Sequence, residues 1–211
     1  MKALSRIIKI CLPVLVIIAG CATSSGTVQQ STDRIELQTY SILPPPGEDW
    51  QVKIDEENEK ITCFKRYQNV LAFFQPNFFK EAKIEIFKNA VGQDLWELRP
   101  EEVAEDFLQK EEKIMREKGE AEGKFKIKKL EKGKIEIGDK KVYKMYWKSR
   151  FGGTWDPYFV SEATIFLYFP PDFNTNHLFF MVLVSDVRNN DLFKHDPEPA
   201  HAVISSMIVK E

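Results

Sequence analysis

The stretch 125–151, "FKIKKLEKGKIEIGDKKVYKMYWKSRF", carries the reading of the fold. Lysines interleave with apolar and aromatic residues near the period of two that a half-buried strand requires. Gly133 and Gly138-Asp139 supply turn signals, so the stretch reads as strands joined by turns, with Tyr143, Met145 and Trp147 on the inward face. Its lysines alternate outward. They form either a solvated face or a contact with anionic lipid.

Downstream, "SEATIFLYF" (161–169) and "HLFFMVLVSDV" (177–187) are apolar on both alternations, which suits central strands covered on both sides. Upstream, Trp50, Val52 and Ile54 alternate with polar residues, and "KITCFKR" (60–66) and "AKIEIFK" (82–88) read as further strands. Between the last two, "NVLAFFQPNFFKE" (69–81) holds four Phe around a Gln75-Pro76-Asn77 turn signal. It is a hairpin with core aromatics or an exposed apolar tip.

Two helices frame these strands. In "PEEVAEDFLQKEEKIMREKG" (100–119), Pro100 suits the first helical position, acids crowd the start, bases crowd the end, and Gly119 can close it. Val103, Ala104, Phe107, Leu108, Ile114 and Met115 make one stripe, interrupted by Glu111, a carboxylate that must snorkel, pair with a cation or serve a function. In "DPEPAHAVISSMIVK" (196–210), Asp196 suits the N-cap, Pro197 the first turn, and Ala200, Val203, Ile204, Met207 and Ile208 share a face.

The N-terminus has a different logic. Lys2, Arg6 and Lys9 precede the apolar run "ICLPVLVIIAG", which is too short to span a bilayer as a permanent helix. Ile18-Ala19-Gly20-Cys21 then resembles the lipobox of bacterial lipoproteins. That resemblance implies a signal peptide over 1–20, cleavage before Cys21, and acylation of Cys21 as a membrane anchor. Multiple acyl chains make such an anchor durable. Residues 21–39 then comprise the lipidated Cys and a flexible polar tether, and 40–211 one domain. About a dozen tether residues hold the domain on the order of 20 Å from the membrane. Ala22 after Cys21 favours the outer membrane if the host has two.

The lead-in "SILPPPGEDWQV", with Pro46, Gly47 and Trp50, and the element order over 40–210 resemble the PsbP-like fold. The resemblance implies an α+β domain, an antiparallel β-sheet flanked by helices. It does not transfer an activity, because activities differ across that fold.

The chain of 211 residues has a net charge of −2, which gives no reason to expect nucleic acid as a partner. The sequence holds no Gly-x-Ser-x-Gly elbow, phosphate-cradling glycine loop or zinc-helix motif. Cys63 stands alone once Cys11 is removed and Cys21 acylated, so it reads as a small core hydrophobe rather than a reactive thiol. His177, His195 and His201 are the only histidines. "SDVRNNDLFKHD" (185–196), with Asp186, Asp191 and Asp196, reads as a surface polar loop and helix cap, and no metal or other cofactor is expected.

The most suggestive surface is "RFGGTWDPYF" (150–159), where Arg150, Trp155, Asp156, Tyr158 and Phe159 put a cation, an acid and aromatics in one loop. The expectation is a non-catalytic envelope lipoprotein with membrane lipid as one partner through Cys21 and an envelope protein as another. A carrier of apolar ligands is the alternative, and an enzyme using Glu111, Cys63 or the histidines comes third.

Overall fold

In the computed structural model of the chain, residues 33–68, 79–117, 126–151, 159–188 and 194–210 are described. They form an α+β domain of the expected kind. The main sheet has seven strands: β3 (Gln51–Asp55), β4 (Lys60–Gln68), β5 (Phe79–Ala90), β6 (Lys126–Ile137), β7 (Lys140–Phe151), β8 (Phe159–Tyr168) and β9 (Leu178–Arg188). Their order is β3-β4-β5-β9-β8-β7-β6, antiparallel throughout. A second, small sheet orders β1 (Ile35–Glu36), β2 (Tyr40–Ile42) and β10 (Ile208–Val209) as β1-β2-β10. Among the described residues there are three α-helices: α1 (Pro100–Met115), α2 (Phe173–Asn176) and α3 (Glu198–Ser206).

The two strands that read as apolar on both alternations, β8 and β9, lie in the middle of the main sheet, where both faces need cover. One face packs under α3 and the small sheet, with Tyr40, Ile42, Ile61, Cys63, Ile84, Ile86, Phe166, Phe180, Val203 and Ile204 in one cluster. The other packs under α1, whose Val103, Ala104, Leu108 and Met115 meet Met145, Trp147, Ile165 and Leu183. Burying a large apolar side chain contributes roughly 1.5–3 kcal/mol, so the two clusters supply most of the driving force.

Local signals behave as their chemistry demands. Pro100 opens α1, and Glu102 accepts a hydrogen bond from the Arg99 N–H at 2.9 Å. The N-cap of α3 is Pro197, not Asp196 as the sequence suggests, and Asp196 accepts from the Glu198 N–H at 3.1 Å just outside the helix. Gly47 adopts φ +95°, a conformation that glycine takes without steric cost, and the turn lets the Trp50 indole N–H reach Pro46 O at 3.2 Å.

Three further expectations need correction, and a fourth falls outside the described residues. Gly133 makes no turn: β6 runs straight through it, opposite Lys144, because the ladder to β7 satisfies the backbone on that side. The reversal is at Gly138-Asp139 alone, with Gly138 at φ +62°. Helix α3 stops at Ser206, and Ile208, expected on its apolar face, is an exposed residue of β10 paired with Ser41. The α-helical part of α1 ends at Met115, with a π turn at 116–117, and Gly119 lies outside the described residues. Finally, Ile35 and Leu37, assigned to the tether, are buried in the core, so the fold reaches back to β1. The phenylalanine-rich tip between β4 and β5 lies outside the described residues, although those strands pair across it as a hairpin requires.

Candidate functional site

The register of the central strands brings charge inside the sheet. On the face under α3, one rung reads Lys148–Glu162–Asp186–Ala82–Lys65 across β7, β8, β9, β5 and β4. Two carboxylates therefore face each other on adjacent strands, which on its own is repulsive. The next rung outward carries Arg150, Val160, Arg188, Lys80 and Tyr67. Arg188 resolves the conflict. Its Nη1 donates to Asp186 and its Nη2 to Glu162, both at 2.5 Å. Lys148 sits 2.9 Å from Glu162 on the other side, and Tyr146 donates its hydroxyl to Glu162 at 2.9 Å.

His195, which precedes α3, closes the network from above the sheet. Its Nδ1 lies 2.5 Å from Asp186 Oδ2 and its Nε2 3.0 Å from Thr164 Oγ1. Lys80, on the flank, donates to Lys194 O at 2.6 Å and so holds the same segment down. The side chains of Arg188, Asp186 and His195 are only 3%, 2% and 6% exposed. Burial by itself would raise the Glu162 carboxyl, but hydrogen bonds from Lys148, Arg188 and Tyr146 and the Arg188 charge outweigh it and hold the group at about 2. The same burial, with the bond to Glu162, pushes the Tyr146 hydroxyl above its ordinary range.

A hydroxyl, an imidazole and a carboxylate in line make the order that hydrolases use to activate a nucleophile. Access and electrostatics decide its meaning here. Thr164 is 3% exposed in the middle of a central strand, between Tyr146 of β7 and Val184 of β9. The backbone amides around it are engaged in the two ladders, which leaves no pair of them to stabilise an oxyanion. Asp186 is shared with Arg188 rather than reserved for the imidazole. The arrangement therefore binds strand to strand and loop to sheet.

The residues singled out from sequence are distributed as follows. Arg150 is exposed at the end of β7 opposite Lys126 and Val160, and Phe159, half-buried, begins β8 opposite Phe151. Both sit at the sheet end that the ion network braces. Trp155, Asp156 and Tyr158, and the anchor Cys21, lie outside the described residues. Cys63 is fully buried on β4, where burial pushes its thiol up to about 12, as an inert core residue requires. Glu111 is partly buried, and its neighbour Glu112 joins α1 to the sheet, 2.7 Å from Lys132 of β6 and 3.0 Å from Arg116. His177 caps α2 and stacks on Trp96 at 4.5 Å, while His201 lies 3.3 Å from Glu198 on α3.

The segment 185–196 departs most from expectation. It reads as a surface polar loop, yet Asp186, Arg188 and His195 are among the most enclosed polar groups of the domain, while Asp191 lies outside the described residues. Sequence reasoning also passed over Glu162, Thr164 and Lys148. The available signal was a charge in an apolar strand: Glu162 in "SEATIFLYF" and Asp186 in "LVSDV" must pair if the strand is covered on both sides. Among the described residues, two surface concavities carry a charged lining, one at Glu136, Asp196, Glu198 and His201 and one between α1 and the β6–β7 hairpin.

The sequence matches no family model and no curated protein. Among solved structures the chain is similar to the solution structure of the cyanobacterial PsbP protein (CyanoP) from Synechocystis, with 11% sequence identity, 78% of this chain and 95% of that chain covered, and a TM-score of 0.32. Likeness at that identity and score supports no statement about what this chain does.

Proposed function

We propose that this chain is a lipid-anchored protein of the bacterial envelope that works by binding a protein partner, not by catalysis, and that it presents that partner with the sheet end around residues 150–159. The observation that carries the reading is the buried ion network. Lys148, Glu162 and Asp186, one rung below Arg150 and Val160, are spent with Arg188 on locking β7, β8 and β9 together. Recognition loops work best when a rigid scaffold sets their ends. Trp155, Asp156 and Tyr158 belong to the connection between those two strands by sequence, and aromatic residues of that kind are enriched among binding hot spots. The lipobox-like Ile18-Ala19-Gly20-Cys21 supports the anchor, which keeps the domain near a membrane-bound partner.

The test is capture from crosslinked envelopes with the native chain, with a Trp155→Ala, Tyr158→Ala variant and with Cys21→Ser. A partner captured by the native chain and lost in the folded double variant supports the reading. Equal capture by all three, or unfolding of the double variant with no loss traceable to binding, counts against that surface.

A further inference from the structure

Charge in this chain is segregated. The β6–β7 hairpin, residues 126–151, holds ten Lys and Arg against three Asp and Glu, a net of +7. From Cys21 onward the chain is net −5, so everything outside the hairpin sums to −12. The hairpin is also the border of the domain, because β6 is the edge strand of the main sheet. Edge lysines are a common guard against strand pairing, but a few suffice for that purpose.

The nine lysines divide into two groups. Lys132 and Lys134 turn to Glu112 and Glu101 on α1, Lys148 to Glu162, Lys129 to Glu131 and Lys140 to Asp139. Lys126, Lys128, Lys141 and Lys144 form no ion pair within 4.0 Å among the described residues, although Lys141 stands opposite Glu136 in the ladder, and the first three are exposed. Lys126 and Lys128 stand at the open end, with Lys128 at the bulge between Ile127 and Lys129, and Lys141 and Lys144 stand near the turn. Lys144 lies on the face under α3 and Lys141 on the opposite one, so the set flanks the sheet edge from both sides.

The start of the fold lies beside this hairpin. Arg34 donates to Ser206 O at 2.9 Å, while Lys140 of the hairpin donates to the adjacent Ser205 O at 3.0 Å. The segment leading back to Cys21 thus leaves the domain next to the hairpin turn. A coil of about a dozen residues spans on the order of 20 Å, while the hairpin, at about 3.3 Å per residue, is roughly 40 Å long. An anchor at Cys21 therefore holds the hairpin within reach of the membrane along much of its length.

We infer that the β6 edge of the hairpin is a membrane-docking surface that lies on anionic phospholipid headgroups through Lys126, Lys128, Lys141 and Lys144. The inference rests on the proposed anchor at Cys21 and adds an orientation to it: the edge strand faces the bilayer and the main sheet stands away from it. Anionic headgroups complement the hairpin, and the acidic remainder of the domain is turned from them. Attraction of this kind falls with salt, because Lys126, Lys128 and Lys141 are solvent-exposed.

The experiment uses residues 22–211 without lipid, which include every described element, and measures co-sedimentation with phosphatidylcholine vesicles with and without about a third phosphatidylglycerol. The expected result is binding to the phosphatidylglycerol vesicles that weakens as salt rises, and none to pure phosphatidylcholine. A variant with Lys126→Gln, Lys128→Gln, Lys141→Gln and Lys144→Gln loses roughly two to three orders of magnitude in affinity. A charge-matched control, Lys53→Gln, Arg66→Gln, Lys110→Gln and Lys113→Gln, loses less than about tenfold. Circular dichroism confirms that both variants are folded. Equal losses in the two variants, binding indifferent to phosphatidylglycerol, or binding to polyglutamate but to neither vesicle, would overturn the inference. Lipid on Cys21 in the native protein, found together with such a result, leaves the anchor standing and removes only the docking surface.

Discussion

Arg188→Met removes the one cation that separates Glu162 from Asp186, two carboxylates placed opposite each other by strand register. Methionine keeps much of the arginine stem, so the loss is electrostatic more than steric. Removing one member of a buried ion network commonly costs about 3–5 kcal/mol, because the charge left behind stays desolvated. Lys148 still neutralises part of Glu162, and the His195 ring keeps its contact with Asp186, which favours the lower end, about 3 kcal/mol at neutral pH. The cost also depends on pH. In the native chain Glu162 stays ionised down to about 2, whereas without Arg188 its carboxyl titrates higher, and protonation relieves the repulsion. The difference between native and variant therefore shrinks as pH falls from 7 to 4. Urea unfolding followed by far-ultraviolet circular dichroism at both pH values measures it. A loss below about 1 kcal/mol at pH 7, or a loss that does not diminish at pH 4, would refute the assignment of Arg188 as the keystone of the network.

Three further outcomes follow from the same structure. Glu162 has a depressed folded-state pKa, so its contribution is complete above its unfolded value near 4.5 and disappears as pH falls through about 2; native stability should drop over that window by about 2 kcal/mol after allowance for solvent screening, and acid-dependent urea curves would show it. In residues 22–211, where Cys63 is the one cysteine, it should resist a thiol reagent in the native state and react once per chain in denaturant, since it is fully enclosed; rapid labelling of the folded protein would contradict the core packing. Gly138→Ala puts a β-carbon 2.8 Å from Ser205 Oγ on a backbone at φ +62°, which should cost about 1–2 kcal/mol, and a thermal melt showing no loss would mean that the turn is built differently.

The helices and central strands were legible because their signals are local. Pro100 and the charge gradient of α1 act within one helix, and the double apolar alternation of β8 and β9 reflects cover on both faces. Gly133 misled because glycine also occurs in the interior of a strand, where pairing to Lys144 holds the chain extended. Ile208 misled because a helical period and a two-residue strand cannot be told apart at the end of an apolar run. The ion network was invisible for a different reason. Glu162, Asp186, Arg188 and His195 meet only through the register of three strands and the return of the chain over the sheet. Their spacing in sequence encodes none of that. What could be read was weaker and still useful: a charge within a doubly covered strand requires a partner.

Both the partner surface and the docking edge depend on the chain being fixed to a membrane at Cys21. Mass spectrometry of the N-terminal peptide from membrane-extracted protein tests that directly. The expected result is a mature chain that begins at Cys21, with a diacylglycerol thioether on its sulfur and an acylated amino group. An unmodified Cys21, or a mature chain that begins at another residue, would contradict it.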